Sequence, residues 1–166
     1  MKRFCLIAAV VLTICAILPL AAQAQGGAKQ GPEISRDPTL EKDSLHNLEV
    51  ARQYFKLRKA YVAALERCEE VLAANPEFSK IDEVLFIAGQ SSMNLAGEKG
   101  KQKPNQYVIH EGEKKVTLTS EELREKARGY FSQIVTEHPQ SSFRGRADAA
   151  LQELGEPKAK TVSSKR

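Results

Sequence analysis

Residues 61–76 read YVAALERCEEVLAANP, and residues 124–139 read REKARGYFSQIVTEHP. In both stretches apolar residues recur at helical spacing and a proline stops the run. Counted from Ala64, the residues Cys68, Val71 and Pro76 lie at +4, +7 and +12; counted from Ala127, Phe131, Ile134 and Pro139 lie at the same offsets. An alanine lets a second helix approach closely, the larger residues fill the space between helices, and the proline ends the helix. Two segments alike at four positions belong to one repeated unit.

Outward from these segments the period stays helical. Asp37-Pro38 is a strong start, with Asp as N-cap and Pro at the first helical position, and Leu45, Leu48, Ala51 and Phe55 follow as a stripe. The second helix carries Tyr61, Ala64, Leu65, Cys68, Val71 and Leu72. A third carries Ile81, Val84, Leu85, Ala88 and Leu95 and closes at Gly97 as a C′ glycine. A fourth opens with Thr119 and Glu122 at capping-box spacing and runs through Leu123, Ala127, Tyr130, Phe131 and Ile134; a fifth carries Phe143, Ala147, Ala150, Leu151 and Leu154. Five amphipathic helices make this an all-α chain.

A helix–turn–helix repeated at about 34 residues is the tetratricopeptide (TPR) unit. Ala64 and Ala127 are 63 residues apart, about 29 more than one unit. Roughly three of these fall at Ser79 to Ile81, and the rest form an insertion at 98–118. The first halves agree through Leu48, Ala51 and Phe55 in one unit and Leu85, Ala88 and Gly89 in the next. The expected architecture over residues 37–155 is a short TPR-like solenoid of about two and a half helix pairs, with the fifth helix as its cap. Its repeat core is Ala51, Phe55, Tyr61, Ala64, Cys68, Val71, Pro76, Ala88, Gly89, Ala127, Phe131, Ile134 and Pro139.

The insertion contains Lys99, Gly100, Lys101, Lys103 and Pro104, which no helix would choose. Tyr107–His110 and Lys115–Leu118 flank Glu111-Gly112-Glu113-Lys114, the pattern of a small β-hairpin. A docked hairpin and a disordered loop are both open at this point.

The ends of the chain have their own chemistry. Met1-Lys2-Arg3 precedes the apolar run Phe4–Leu18, Pro19 ends it, and Ala22-Gln23-Ala24 has the small-x-small pattern of a cleavage site. Residues 1–24 are read as a cleaved signal peptide, because the run is shorter than the ~20 residues of a spanning helix. Residues 25–36 read as a flexible linker, and residues 156–166, polar and Lys-rich, as a disordered tail. Of three cysteines, Cys5 and Cys15 lie in the leader and only Cys68 outside it, so a mature chain has no internal disulfide. Ile14 before Cys15 is too bulky for a lipidation site. The formal charge of +4 falls to +2 without Lys2 and Arg3, leaving 23 basic against 21 acidic residues. So even a balance is poor grounds for nucleic-acid binding. A periplasmic location, reaching to the inner face of the outer membrane and open to peripheral membrane association, follows as an expectation.

No catalytic grouping stands out. His46, His110 and His138 have no Cys or carboxylate at metal-ligand spacing, Ser141-Ser142 lacks a nucleophile-elbow context, and Cys68 holds a core position of the repeat. No metal, cofactor or enzymatic role is expected, and what remains is recognition of protein partners. The first helix of each TPR unit lines the concave face, which places His46, Glu49, Gln53 and Lys56 there from one unit and Phe86, Gln90, Met93 and Asn94 from the next. Phe86 and Met93 suit an apolar anchor for a peptide; packing of both under the 98–118 insertion is the open alternative.

The stretch Ala51–Arg67, ARQYFKLRKAYVAALER, resembles the repeats of BamD-like proteins, TPR lipoproteins of the outer-membrane β-barrel assembly machinery. The family pattern A-x-x-Y-F … Y-x-A-A-x-x-R is matched by Ala51, Tyr54, Phe55, Tyr61, Ala63, Ala64 and Arg67. Its repeat ending YP-x-S is matched in part by Asn75-Pro76 with Ser79 displaced, and by His138-Pro139-Gln140-Ser141. The resemblance covers about residues 45–155 and implies a periplasmic interaction scaffold. Family members usually have about twice as many repeats and a lipidated cysteine. A TPR adaptor of the cell-division or peptidoglycan machinery is the alternative, and a small-ligand or enzyme role built on the hairpin is a third.

Overall fold

The computed structural model describes residues 36–111 and 114–155. The proposed leader, nearly all of the linker, the basic tail and the turn residues Gly112 and Glu113 lie outside the described residues. The elements in chain order are α1 (Pro38–Gln53), a π-helical turn (Tyr54–Arg58), α2 (Tyr61–Ala74), α3 (Ile81–Ala96), a 3-10 turn (Pro104–Gln106), β1 (Val108–Glu111), β2 (Lys114–Thr117), α4 (Ser120–Glu137) and α5 (Arg144–Leu154). The described chain is mostly helical, with one small antiparallel hairpin.

Local chemistry sets the helix ends. Asp37 Oδ1 accepts from the amides of Thr39 (2.7 Å) and Leu40 (3.4 Å), satisfying donors that α1 leaves open. Thr119 and Glu122 form the reciprocal capping box of α4: the Glu122 amide donates to Thr119 Oγ1 and the Thr119 amide to Glu122 Oε2. The C-terminus of α3 departs from expectation. Gly97 is the C-cap, with φ −86°, and the left-handed residue is Glu98, with φ +51°. Lys99 N–H donates to Asn94 O and Glu98 N–H to Leu95 O, a Schellman closure one residue beyond the glycine.

Each helix packs chiefly on its sequence neighbours: α1 on α2, α2 on α3, α3 on α4, and α4 on α5. One apolar cluster includes Leu48, Ala51, Leu65, Cys68, Val71, Val84, Ala88 and Leu123; a second joins Leu85, Phe86, Ala127, Phe131, Ile134, Ala147 and Ala150. Gly89 sits where α3 meets α4, and a Cβ there would lie 2.6 Å from Phe131 Cε1. The stripe of α1 is corrected at one position. Leu45 is 40% exposed, and Ser44 is buried in its place. The buried face runs back from Leu48 by four residues, and Ser44 Oγ accepts from Asn75 Nδ2 (3.1 Å), the amide of a buried residue at the end of α2. A leucine at that position would leave the amide without its acceptor.

The insertion is docked. Its strands pair as Val108↔Thr117, Ile109↔Val116, His110↔Lys115 and Glu111↔Lys114. Tyr107 and Leu118, expected in the strands, fall outside them. Tyr107 turns into the core and its hydroxyl donates to the Glu69 carboxylate of α2 (2.7 Å to Oε1). Glu69 also accepts from the Tyr130 hydroxyl (3.0 Å) and pairs with Lys126 Nζ (2.8 Å), both from α4. Burial and the Glu69 carboxylate together push the Tyr107 and Tyr130 phenols above their ordinary range. The N-terminus of α2 has no side-chain cap of its own at Ala60. Gln102 Oε1, from the insertion, accepts from the amides of Val62 (2.8 Å) and Ala63 (3.3 Å) instead.

Candidate functional site

The end of α1's helical path, α3 and α5 surround a groove of about 410 Å³ lined by Phe55, Phe86, Gln90, Arg146, Ala149, Ala150 and Glu153. A bidentate pair from Arg52 on α1 to Glu83 on α3 (2.7 and 2.6 Å) fixes their spacing, and Glu83 raises the guanidinium's pKa above its ordinary value. At the far end Ser141 Oγ donates to Asp82 Oδ2 of α3 (2.6 Å) and accepts from the Phe143 amide (3.0 Å), setting where α5 begins.

The floor of the groove is aromatic. Phe86 is 9% exposed, with its ring centroid 6.0 Å from that of Phe131 and 5.1 Å from that of Phe143. The Arg146 guanidinium lies 4.2 Å from the centre of the Phe86 ring and 4.8 Å from that of Phe143, within the range of a cation–π contact. Among the described residues no carboxylate forms an ion pair with Arg146, so one face of the guanidinium is held by rings while its N–H edge is available to a ligand. Ala149 is exposed beside it, leaving room, and Glu153 supplies the opposite charge one turn along.

The residues expected to form the concave face divide. Phe86 and Gln90 line this groove. Phe86 does so as a floor, because Phe143 packs on the side that the helical period left open, so it is not a projecting anchor. Met93 lines a second cavity of about 450 Å³ with Gly97, Lys99, Glu121, Arg124, Arg128, Glu153 and Leu154. Ion pairs from Glu121 to Arg124 (3.5 Å) and Arg128 (3.8 Å) occupy much of its charge. His46, Glu49, Gln53 and Lys56 are exposed on α1 and the π-turn, outside both cavities, and Glu49 pairs with Arg52 (3.7 Å). Asn94 is half-buried, and its carbonyl closes the C-terminus of α3.

Arg146, Ala149, Ala150 and Glu153 were absent from the sequence-based set. The signal was present: carrying Phe86, Gln90 and Met93 onto α5 with the same spacing, i, i+4 and i+7, gives Arg146, Ala150 and Glu153. Treating the fifth helix as a cap hid it. The family-like pattern is a mixed matter in the structure. Ala51, Tyr61 and Ala64 are buried between helices, whereas Arg67 only pairs with Glu70 (2.6 Å) on its own helix.

Among the described residues no three or more His, Cys, Asp or Glu gather as a metal site. Cys68 is fully buried, and burial, reinforced by the Glu69 and Glu83 carboxylates, pushes its thiol pKa up, away from the thiolate that reactivity requires. Among the described residues no helix is long and apolar enough to cross a membrane. Comparison of the chain with protein-family models, with curated proteins and with solved structures gave no match.

Proposed function

We propose that the chain is an exported, TPR-type protein–protein interaction scaffold of the cell envelope, similar to the BamD-like outer-membrane assembly factors. The observation that carries this reading is that α3 and α5, with Phe55 from the π-turn that follows α1, supply one groove, α3 and α5 contributing in the same register. Neighbour-on-neighbour helix packing and the glycine-tight approach of α3 to α4 support a repeat architecture. The groove works by complementarity without chemistry: an extended segment sets an apolar side chain beside Phe55 and the exposed Ala149, which line the groove, and presents an acceptor to the edge of Arg146.

The test is crosslinking of the epitope-tagged protein in its own cells, followed by mass spectrometry, with Arg146→Glu/Ala149→Arg as the groove control. Both residues are exposed, and because Arg146 also rests on Phe86 and Phe143, a cooperative thermal unfolding of the control must first show that its fold is kept. Capture of barrel-assembly components, lost in the control, supports the reading. Capture of division or cell-wall proteins instead moves the scaffold to that machinery, and capture indifferent to the control rejects the groove.

A further inference from the structure

The π-turn after α1 and the first residues of the insertion meet on one face of the molecule. Lys101 N–H donates to Lys59 O (3.2 Å). Gly100, at φ +96°, passes so close that a Cβ would lie 2.5 Å from Lys59 O and 2.6 Å from the Tyr61 ring. This contact brings Lys101 to the short segment that carries Lys56, Arg58 and Lys59. All four side chains are exposed. Among the described residues none of the four is in an ion pair, and Arg58 rests only over the Tyr54 ring, 5.6 Å from its centre. Amid them Leu57 is 80% exposed, twice the exposure of Leu40 and Leu45, the other exposed large apolar residues among those described.

The backbone fixes this arrangement. The widened π-turn closes with Ala60 N–H on Tyr54 O, and Lys59 stands in the left-handed region at φ +51°, so Leu57 is directed outward while Phe55, two residues earlier, packs against Tyr61. Such π-turns occur often at functional places in helices. Leu57 stands 80% exposed, and neither it nor its neighbours Lys56, Arg58, Lys59 and Lys101 line the groove or the second cavity described above, so a folded partner would bring the pocket for Leu57 itself. A fluid surface needs no pocket: it takes an apolar tip between headgroups and meets the surrounding cations with phosphate. We propose that this face docks on an anionic phospholipid surface, with Leu57 entering among the headgroups and Lys56, Arg58, Lys59 and Lys101 contacting their phosphates.

The experiment uses the full chain with Cys5 and Cys15 replaced by Ser and a polarity-sensitive fluorophore on Leu57→Cys, Cys68 being buried. A second preparation carries the label on Lys80→Cys, away from the patch. Vesicles of phosphatidylethanolamine with phosphatidylglycerol should shift the position-57 emission to the blue, vesicles of phosphatidylcholine should not, and the position-80 label should stay unchanged. Each cation near an anionic surface contributes on the order of 5-fold in binding, so Lys56→Gln/Lys59→Gln/Lys101→Gln should weaken the response on the order of 100-fold. Lys42→Gln/Lys80→Gln/Lys115→Gln, with the same net charge, should retain it in the position-57 preparation. An unchanged position-57 signal, an equal shift at position 80, or equal weakening by both triple variants overturns the proposal. A shift produced equally by soluble polyglutamate also overturns it, in favour of an acidic protein.

Discussion

Gly89 lies within α3 and Glu98 just past its C-cap, and the rules they obey are opposite. At Gly89 the absence of a side chain is required by space, since Phe131 Cε1 and Cζ stand 2.6 and 2.7 Å from where a Cβ would be. Gly89→Ala forces the ring or the helix to move, which costs about 1–3 kcal/mol by analogy with overpacked cores. Urea unfolding should register that loss, and Phe131→Leu in the same chain should recover part of it; a neutral Gly89→Ala would mean that α3 and α4 are not this close. At Glu98 the backbone wants a glycine and has none. The residue sits at φ +51°, where an L side chain costs roughly 1–2 kcal/mol, against which its exposed pair with Lys103 (2.9 Å) offsets less than about 1 kcal/mol. Glu98→Gly should therefore raise the unfolding midpoint, while Glu98→Ala, which keeps the Cβ and loses the pair, should not. Gly97 drew attention in the sequence because glycine so often takes the left-handed position; the hydrogen bonds of Lys99 and Glu98 place that position one residue later.

The elements were legible wherever their signals are local. Asp37-Pro38, the Thr119–Glu122 box and the prolines after α2 and α4 mark ends by chemistry contained within a turn of chain, whereas the stretch around Gly112 left a hairpin and a disordered loop equally open. What was hidden depends on partners far along the sequence. Ser44 is buried because Asn75 needs its oxygen, Phe86 becomes a floor because Phe143 and Arg146 arrive from α5, and α2 is capped by Gln102 from forty residues away. No period within α1, α2 or α3 encodes those meetings. The cap is testable: Gln102→Ala frees two amides at the start of α2 and should cost about 1 kcal/mol, the usual worth of an N-cap, read as a lowered denaturant midpoint with an unchanged m-value. The Glu69 network is testable by pH. Tyr107 and Tyr130 hold their protons more tightly folded than unfolded. The unfolded chain begins to release those protons near a pH of about 10, so their stabilising contribution is complete below that pH and declines as pH rises above it. Tyr107→Phe/Tyr130→Phe should flatten the alkaline loss of stability relative to the unaltered chain; equal slopes would show that other groups carry it.

At the scale of the molecule the segment between α3 and α4 is part of the core and not an appendage. In the repeat architecture proposed above each unit would lean on its neighbours, and a segment between α3 and α4 would have no necessary part in that stacking. Here it reaches back to the first helix pair. Gln102 caps α2, Lys101 N–H meets Lys59 O, Tyr107 is buried on Glu69, and Ile109 and Leu118 pack against the same core. Replacing residues 99–118 by a short glycine-containing turn shortens the chain and lowers loop entropy by only about 1 kcal/mol. It removes a cap worth about 1 kcal/mol and a buried aromatic worth about 3 kcal/mol. Against the 5–15 kcal/mol that holds a typical domain, a net loss of about 3 kcal/mol is large, and should lower the melting temperature by roughly 10 °C in a chain of this size. Hydrogen exchange should show where the loss falls: first at the N-terminal amides of α2, with α4 and α5, joined through Phe131 and Ala147, the last to be affected. Because the π-turn, α3 and α5 line the groove without a residue of the insertion, capture of the proposed groove partner below the lowered melting temperature should persist. Loss of capture at a temperature where the shortened chain is still folded would assign the insertion to the partner site itself.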